Sequence, residues 1–277
     1  MNVKQVDYNS VDAGRDLVTS LHESGFAVLT NSPITPERID AFYQLWADFF
    51  ADEAKHQYTF EPSAQDGYFP FRSENAKGAV AKDLKEFFHV YPWGKVPADF
   101  EAQTRAFYQD LHGLGAELLE WIQTHTPAAV SENFFEPLNE MIAGSEQSLL
   151  RILHYPPIEG EVEPGAVRAA AHEDINLITL LVSGSQPGLE AKDKQGRWFP
   201  IPGDKGMITI NIGDMLQEAS AGYYPSTTHR VVNPPNAANL SRYSIPMFIH
   251  PRKEVRLSGR YTAGEYLDQR LREIGLI

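Results

Sequence analysis

Two histidines and a carboxylate stand at a spacing that suits a metal ion. In His172-Glu-Asp174 the outer residues lie two apart in a stretch whose apolar pattern reads as β on both sides, so their side chains leave the same face of a strand or strand end. His229 follows 55 residues after Asp174, inside a second strand candidate, TTHRVV. A sheet that brings the two strands together would complete a two-histidine, one-carboxylate set. Such a set covers one face of an octahedral ion and leaves the other open, which fits non-haem Fe(II) oxygen chemistry better than a closed zinc site. Glu173 should leave the opposite face and stay off the metal. Taken alone, a His-x-Asp pair is also compatible with cap and turn residues, so the elements around it decide its meaning.

After Gly144 those elements are β. Strands are expected over 149–155, 177–182, 189–191, 198–201, 207–211, 227–232 and 243–249, separated by Gly, Pro, Asn and Asp clusters. Many short strands without intervening helices predict a sandwich or jelly roll and argue against a TIM barrel or a Rossmann unit. The preceding half reads as helical support. A helix over 12–24 is stopped by Gly25, a short strand spans 26–30, and Thr35 caps a helix opened by Pro36, with Ile39, Phe42, Tyr43, Trp46, Phe49 and Phe50 on its apolar face. Further helices are expected over 98–124, 131–142 and 263–274. The fold class is therefore mainly β with flanking helices, α+β. With no repeat, low-complexity tract or linker, residues 1–277 read as one unit: a helical region 1–148, a β core 149–251 and a C-terminal helical segment 252–277.

Between the helices, residues 61–94 lose periodicity and become rich in Gly, Pro, aromatics and charge, which predicts a loop forming one wall of a pocket. Tyr68, Arg72, Lys85 and His89 are its candidates for contact with a substrate. For Arg72 and Lys85 the competing reading is a surface salt bridge, and for His89 a packed or exposed strand residue.

Composition narrows the classes of partner. The 277 residues are 42% hydrophobic and 22% charged, with a formal net charge of −13 and a pI near 5.1. That field repels polyanions and argues against nucleic acid or anionic membrane as the main partner. The absence of cysteine excludes disulfides, thiolate ligands and a cysteine nucleophile. The polar N-terminus and the lack of a run of about 18 apolar residues give no sign of secretion or membrane spanning, and the cytoplasm is the default location.

The string HEDINLITLLVSGSQPGLEAKDKQGRWFPIPGDKGMITINIGDMLQEASAGYYPSTTHRVVNP, followed by SRYSIPMFIHP, strongly resembles the isopenicillin N synthase-like family of non-haem Fe(II) and 2-oxoglutarate-dependent oxygenases. The resemblance is dense over 151–251, and ESGFAVLTN and GYFPF extend it to most of the chain. It implies a double-stranded β-helix, or jelly roll, backed by N-terminal helices. It also implies that His172, Asp174 and His229 bind iron, and that Arg242 and Ser244, the family's RxS pair, bind the distal carboxylate of 2-oxoglutarate together with the hydroxyl of Tyr155 in RILHYPP. A guanidinium fork suits such a carboxylate, and Ser244 lies on the same face of its strand. Asn211, Asp214 and Gln217 match the family at turn-building and supporting positions, with Gly213 and Gly222 serving backbone geometry. At Leu153 the chain departs from a pattern in which many members carry asparagine. The implied cofactors are Fe(II), 2-oxoglutarate and O2, and the implied reaction oxidises an aliphatic carbon of a small molecule, most commonly by hydroxylation, with release of succinate and CO2. An iron oxidase that works without 2-oxoglutarate, as isopenicillin N synthase does, and a non-catalytic metal- or ligand-binding jelly roll are the alternatives. The phenolic and basic groups of 61–94 would suit a small acid or amino-acid-like substrate. The sequence leaves the oligomeric state open.

Overall fold

The computed structural model describes residues 3–73, 82–157, 168–184, 187–232 and 239–273. Strand β1 (Gln5–Asp7) leads to helix α1 (Ala13–Ser24), which ends where Gly25 adopts the left-handed region (φ 75°) and its N–H returns to the Leu21 carbonyl. β2 (Phe26–Thr30) follows at once. Helix α2 (Pro36–Ala51) starts as its sequence dictates: the Thr35 hydroxyl accepts the Arg38 N–H, and Pro36 fills the first turn.

Segment 61–94, expected as an aperiodic loop, instead contributes two strands, β3 (Gly67–Phe69) and β4 (Glu86–Val90). Every residue of both is buried, so neither shows the in–out alternation by which a half-buried strand is recognised. Part of that expected wall, residues 74–81, lies outside the described residues.

Helix α3 (Ala98–His125) is followed by two single turns, α4 (Ala128–Ser131) and α5 (Leu138–Met141), in place of the one helix expected over 131–142. Pro137 explains the break. It lacks an N–H and pushes the residue before it out of the helical region, so a helix begun at Ser131 cannot run through it.

The remaining elements are β5 (Leu149–Tyr155), β6 (Ala169–His172), β7 (Ile178–Val182), β8 (Leu189–Lys192), β9 (Trp198–Pro200), β10 (Ile208–Ile212), α6 (Asp214–Ala219), β11 (His229–Val231), β12 (Arg242–Ile249) and α7 (Ala263–Glu273). β1, β6 and α6 are additions to the expected set. The last residue of the expected C-terminal helix, Ile274, lies outside the described residues.

Among the described residues, eight strands form one sheet in the order β1-β2-β10-β7-β12-β5-β4-β3, and four form a second, β6-β11-β8-β9, giving the two-sheet jelly-roll arrangement with flanking helices. Alternation along β5 divides the core. Leu150 and Ile152 join Trp46, Phe88, Phe107, Leu118 and Met247 under the helices, whereas Leu153 and Tyr155 join Phe69 and Phe87 on the opposite face. Each large apolar side chain buried in this way contributes about 1.5–3 kcal/mol. Close approach of α3 to the sheet requires Gly115, where a Cβ would lie 2.8 Å from the Ile249 side chain. A third cluster joins Phe26 and Val28 of the large sheet to Ala169, Leu189, Ala191 and Val231 of the small one. The helices thus fix one face of the large sheet, and the other is left to line a space closed by the small sheet. Among the described residues no helix is long and apolar enough to cross a membrane.

Candidate metal centre

The register of the small sheet makes the site. β11 pairs antiparallel with β6 so that His229 lies directly opposite His172, and the two rings sit with centroids 4.4 Å apart. Asp174 stands two residues beyond His172 in the turn leading to β7, where its carbonyl accepts the Asp214 N–H at 2.7 Å. The Asp174 Oδ1 is 3.8 Å from Nε2 of each histidine, and one ligand atom from each of the three residues lies within 4.8 Å of the others. Two bonds of about 2.0–2.2 Å to one ion span at most about 4.4 Å, so the 3.8 Å separations from Asp174 lie within its reach.

Everything else the three side chains offer is already engaged. His172 Nδ1 meets the Ala170 carbonyl at 2.8 Å and His229 Nδ1 meets the Thr227 carbonyl at 3.1 Å. A carbonyl can only accept, so both rings carry the proton on Nδ1 and aim the Nε2 lone pair at the shared point. Asp174 Oδ2 accepts from the Thr179 hydroxyl at 2.6 Å and from Asn211 Nδ2 at 2.8 Å, which leaves Oδ1 for the ion. Glu173 accepts from the Thr228 hydroxyl and takes no part.

Electrostatics favour the ligand-ready forms. Desolvation, and then the charge of His229, push His172 down to about 4, so its ring is neutral at pH 7. Burial opposes charge on Asp174, but His229, His172 and the two hydrogen bonds together hold its carboxyl below the usual carboxylate range. The His172 side chain is 40% exposed against 5% for Asp174 and 9% for His229, which places the open side of the centre at His172. The donor set and its open face fit Fe(II). Replacing Asn211 with alanine removes one of the two hydrogen bonds that orient Asp174 and is expected to weaken Fe(II) binding about 10–100-fold, as read by anaerobic metal titration.

Arg242 and Ser244 lie on the inner face of β12, with Arg242 opposite Tyr155 and Ser244 opposite Leu153. All four are buried. The Arg242 guanidinium is 5.2 Å from the centre of the Tyr155 ring, and a Cβ on Gly184 would stand 3.1 Å from its Nη2, so a glycine leaves the fork its space. A cavity of about 850 Å³ bordered by Tyr43, Leu181, Ile201 and Thr209 reaches Arg242. Leu153 packs with Phe69, Phe87 and Tyr155, so the position where the resemblance implies an asparagine is here part of an apolar floor.

The four substrate candidates from the sequence separate. Lys85 pairs with Asp83 at 2.8 Å, lies 5.7 Å from the Phe87 ring and is near enough for its charge to act on His172. His89 shares the Phe87 face; its Nδ1 meets the Gln65 carbonyl at 2.8 Å and its Nε2 accepts from Arg151 Nε at 2.8 Å. Arg72 is exposed in the turn after β3, with its backbone in the left-handed region (φ 62°) and its N–H on the Lys85 carbonyl. Tyr68 points the other way, under the helices, where its hydroxyl donates to Glu86, a carboxylate also held by His154 at 2.7 Å and Lys55 at 3.1 Å. Tyr68→Phe is therefore expected to destabilise the fold by about 1.5–3 kcal/mol in urea denaturation while leaving the 2-oxoglutarate KM unchanged.

Sequence reasoning missed Thr179, Arg151 and Arg168. Alternation with Ile178, Leu180 and Val182, which pack under the helices, could have placed Thr179 on the metal side; nothing local marks the two arginines. Asn211 does support Asp174. Asp214 and Gln217 build the adjoining turn, the latter by accepting the Ser226 N–H at 2.7 Å.

Residues 146–251 match the 2OG-Fe(II) oxygenase superfamily, and residues 6–112 match a family described as non-haem dioxygenase in morphine synthesis N-terminal. A crystal structure assigned as an oxygenase from Shewanella oneidensis is 50% identical, with each chain covered in full and a TM-score of 0.91. One assigned to the 2OG-Fe(II) oxygenase family from Caulobacter crescentus is 35% identical over 98% of this chain and 99% of that one, with a TM-score of 0.83. The 2-oxoglutarate-dependent dioxygenase citB of Monascus ruber is 27% identical over 95% of this chain and 87% of its own.

Proposed function

Because this chain belongs to the 2OG-Fe(II) oxygenase superfamily, we propose that its catalytic centre is the triad His172, Asp174 and His229, with Arg242, Ser244 and Tyr155 seating the distal carboxylate of 2-oxoglutarate. The activity is that of a dioxygenase acting on a small molecule. Bound Fe(II), with 2-oxoglutarate and O2, supplies the oxidising chemistry that yields succinate and CO2 and hydroxylates an aliphatic carbon. The observation that carries the reading is the convergence of three free ligand atoms whose partner atoms are all tied down.

The protein's part is to bind and orient. Ala170 and Thr227 hold the histidine protons on Nδ1, away from the metal, and Thr179 and Asn211 fix the carboxylate so that only Oδ1 faces the ion. Arg242 offers a two-pronged donor at the far end of the site and Ser244 adds a hydroxyl on the same strand face. Buried Leu153, Phe69 and Phe87 exclude water from the floor between them.

The substrate is a small acid or an amino-acid-like molecule. Arg151, whose Nε donates to His89, brings a guanidinium over the Phe87 ring at 4.7 Å, and the Lys85–Asp83 pair places an ammonium 5.7 Å from the same ring. Iron-loaded protein given 2-oxoglutarate should release succinate faster with carboxylic acids than with their matched amides. Equal stimulation by the two series would remove the acid preference and leave the metal centre standing.

A further inference from the structure

Arg168 is a buried cation with no anionic partner among the described residues. It sits four residues before His172, at the entry to β6, and is 5% exposed. Its Nη2 donates to the Leu240 carbonyl at 3.2 Å, but its Nε is buried with no hydrogen-bond partner, and no carboxylate among the described residues pairs with it. A guanidinium carries five donors and cannot shed its charge, so leaving one buried and uncompensated is among the most costly arrangements a fold can keep.

Its neighbours sharpen the question. The Arg168 guanidinium lies 5.8 Å from the centre of the Tyr155 ring, and Arg242 lies 5.2 Å from the same centre. Desolvation, and then the charge of Arg242, lower the pKa of Arg168, so the two cations repel one another around one phenol. A chain of net charge −13 has nevertheless placed both here. A contact with Tyr155 and one backbone carbonyl would tie β5 to the approaches of β6 and β12, but it would leave Nε without a partner and the charge without an anion among the described residues.

We propose that Arg168 is a second carboxylate-binding guanidinium of this site, so that a ligand carboxylate is held by two arginines flanking Tyr155. The inference rests on the reading of Arg242 and Tyr155 as the cosubstrate seat. The carboxylate comes from the tail of 2-oxoglutarate, which that seat already receives, or from an acidic substrate lying beside it.

The test uses the full chain loaded anaerobically with Fe(II), as wild type, Arg168→Gln and Arg168→Lys, in calorimetric titrations. The ligands are 2-oxoglutarate, 2-oxopentanoate, which keeps the chelating head but has no charged tail, and phenylacetate and phenylacetamide in the presence of 2-oxoglutarate. Arg168→Gln should bind 2-oxoglutarate about tenfold to a hundredfold more weakly while 2-oxopentanoate is unaffected, and Arg168→Lys should recover part of the loss. Should the carboxylate come from substrate, 2-oxoglutarate is unaffected and phenylacetate alone weakens against its amide. Affinities unchanged for all four ligands would overturn the proposal, as would a uniform loss together with a lowered Tm, which marks a purely structural strap. Arg242→Gln is measured in parallel: unchanged 2-oxoglutarate binding there would remove the seat itself, a failure separate from that of Arg168.

Discussion

Asp174→Ala is expected to abolish succinate formation and to weaken Fe(II) binding by more than the roughly 10–100-fold that loss of a supporting partner costs. The carboxylate does three things at once. Its Oδ1 is the sole anionic donor of the triad, its Oδ2 receives Thr179 and Asn211, and its charge faces two histidines paired across β6 and β11. Alanine therefore removes a ligand and also strands two buried donors, at about 1–3 kcal/mol each. Metal titration reads the first effect and urea denaturation the second. An alanine variant that is folded, binds iron as the wild type does and still forms succinate would remove Asp174 from the centre.

Arg242→Ala is expected to raise the KM for 2-oxoglutarate by about a hundredfold, from the loss of a charge-assisted, two-pronged contact, with Fe(II) affinity nearly intact. The separation is built into the topology: Arg242 projects from β12 of the large sheet, whereas the two histidines belong to the small one. Lysine at 242 should restore only part of the affinity, because a point charge lacks the planar fork. An unchanged KM in steady-state assays would reassign the carboxylate seat to other residues.

The metal centre was legible because its chemistry is local. Two ligands at i and i+2 on a strand end share a face whatever the rest of the fold does, and β5, β7 and β12 announce themselves by apolar runs between turn residues. What escaped the sequence was pairing. β6 is only Ala-Ala-Ala-His, four residues with no β preference, and it is a strand because β11 lies against it. β3 and β4 carry aromatics on successive positions, Tyr68-Phe69 and Phe87-Phe88, since both their faces are covered, and that erases the period a reader looks for. The same cause sent Tyr68 to the helical side, while Lys85 and His89, two residues to either side of Phe87, reached the inner face. Arg168 had no local signature at all; only the folded chain shows that it meets the ring of Tyr155.

The most direct measurement of the central claim is the yield of succinate against 2-oxoglutarate consumed in air, comparing iron-loaded wild-type protein with Asp174→Ala. One succinate per 2-oxoglutarate, formed only with Fe(II) and only by the wild type, is the predicted result. Oxygen uptake and substrate oxidation by the iron-loaded protein with 2-oxoglutarate left untouched would contradict it.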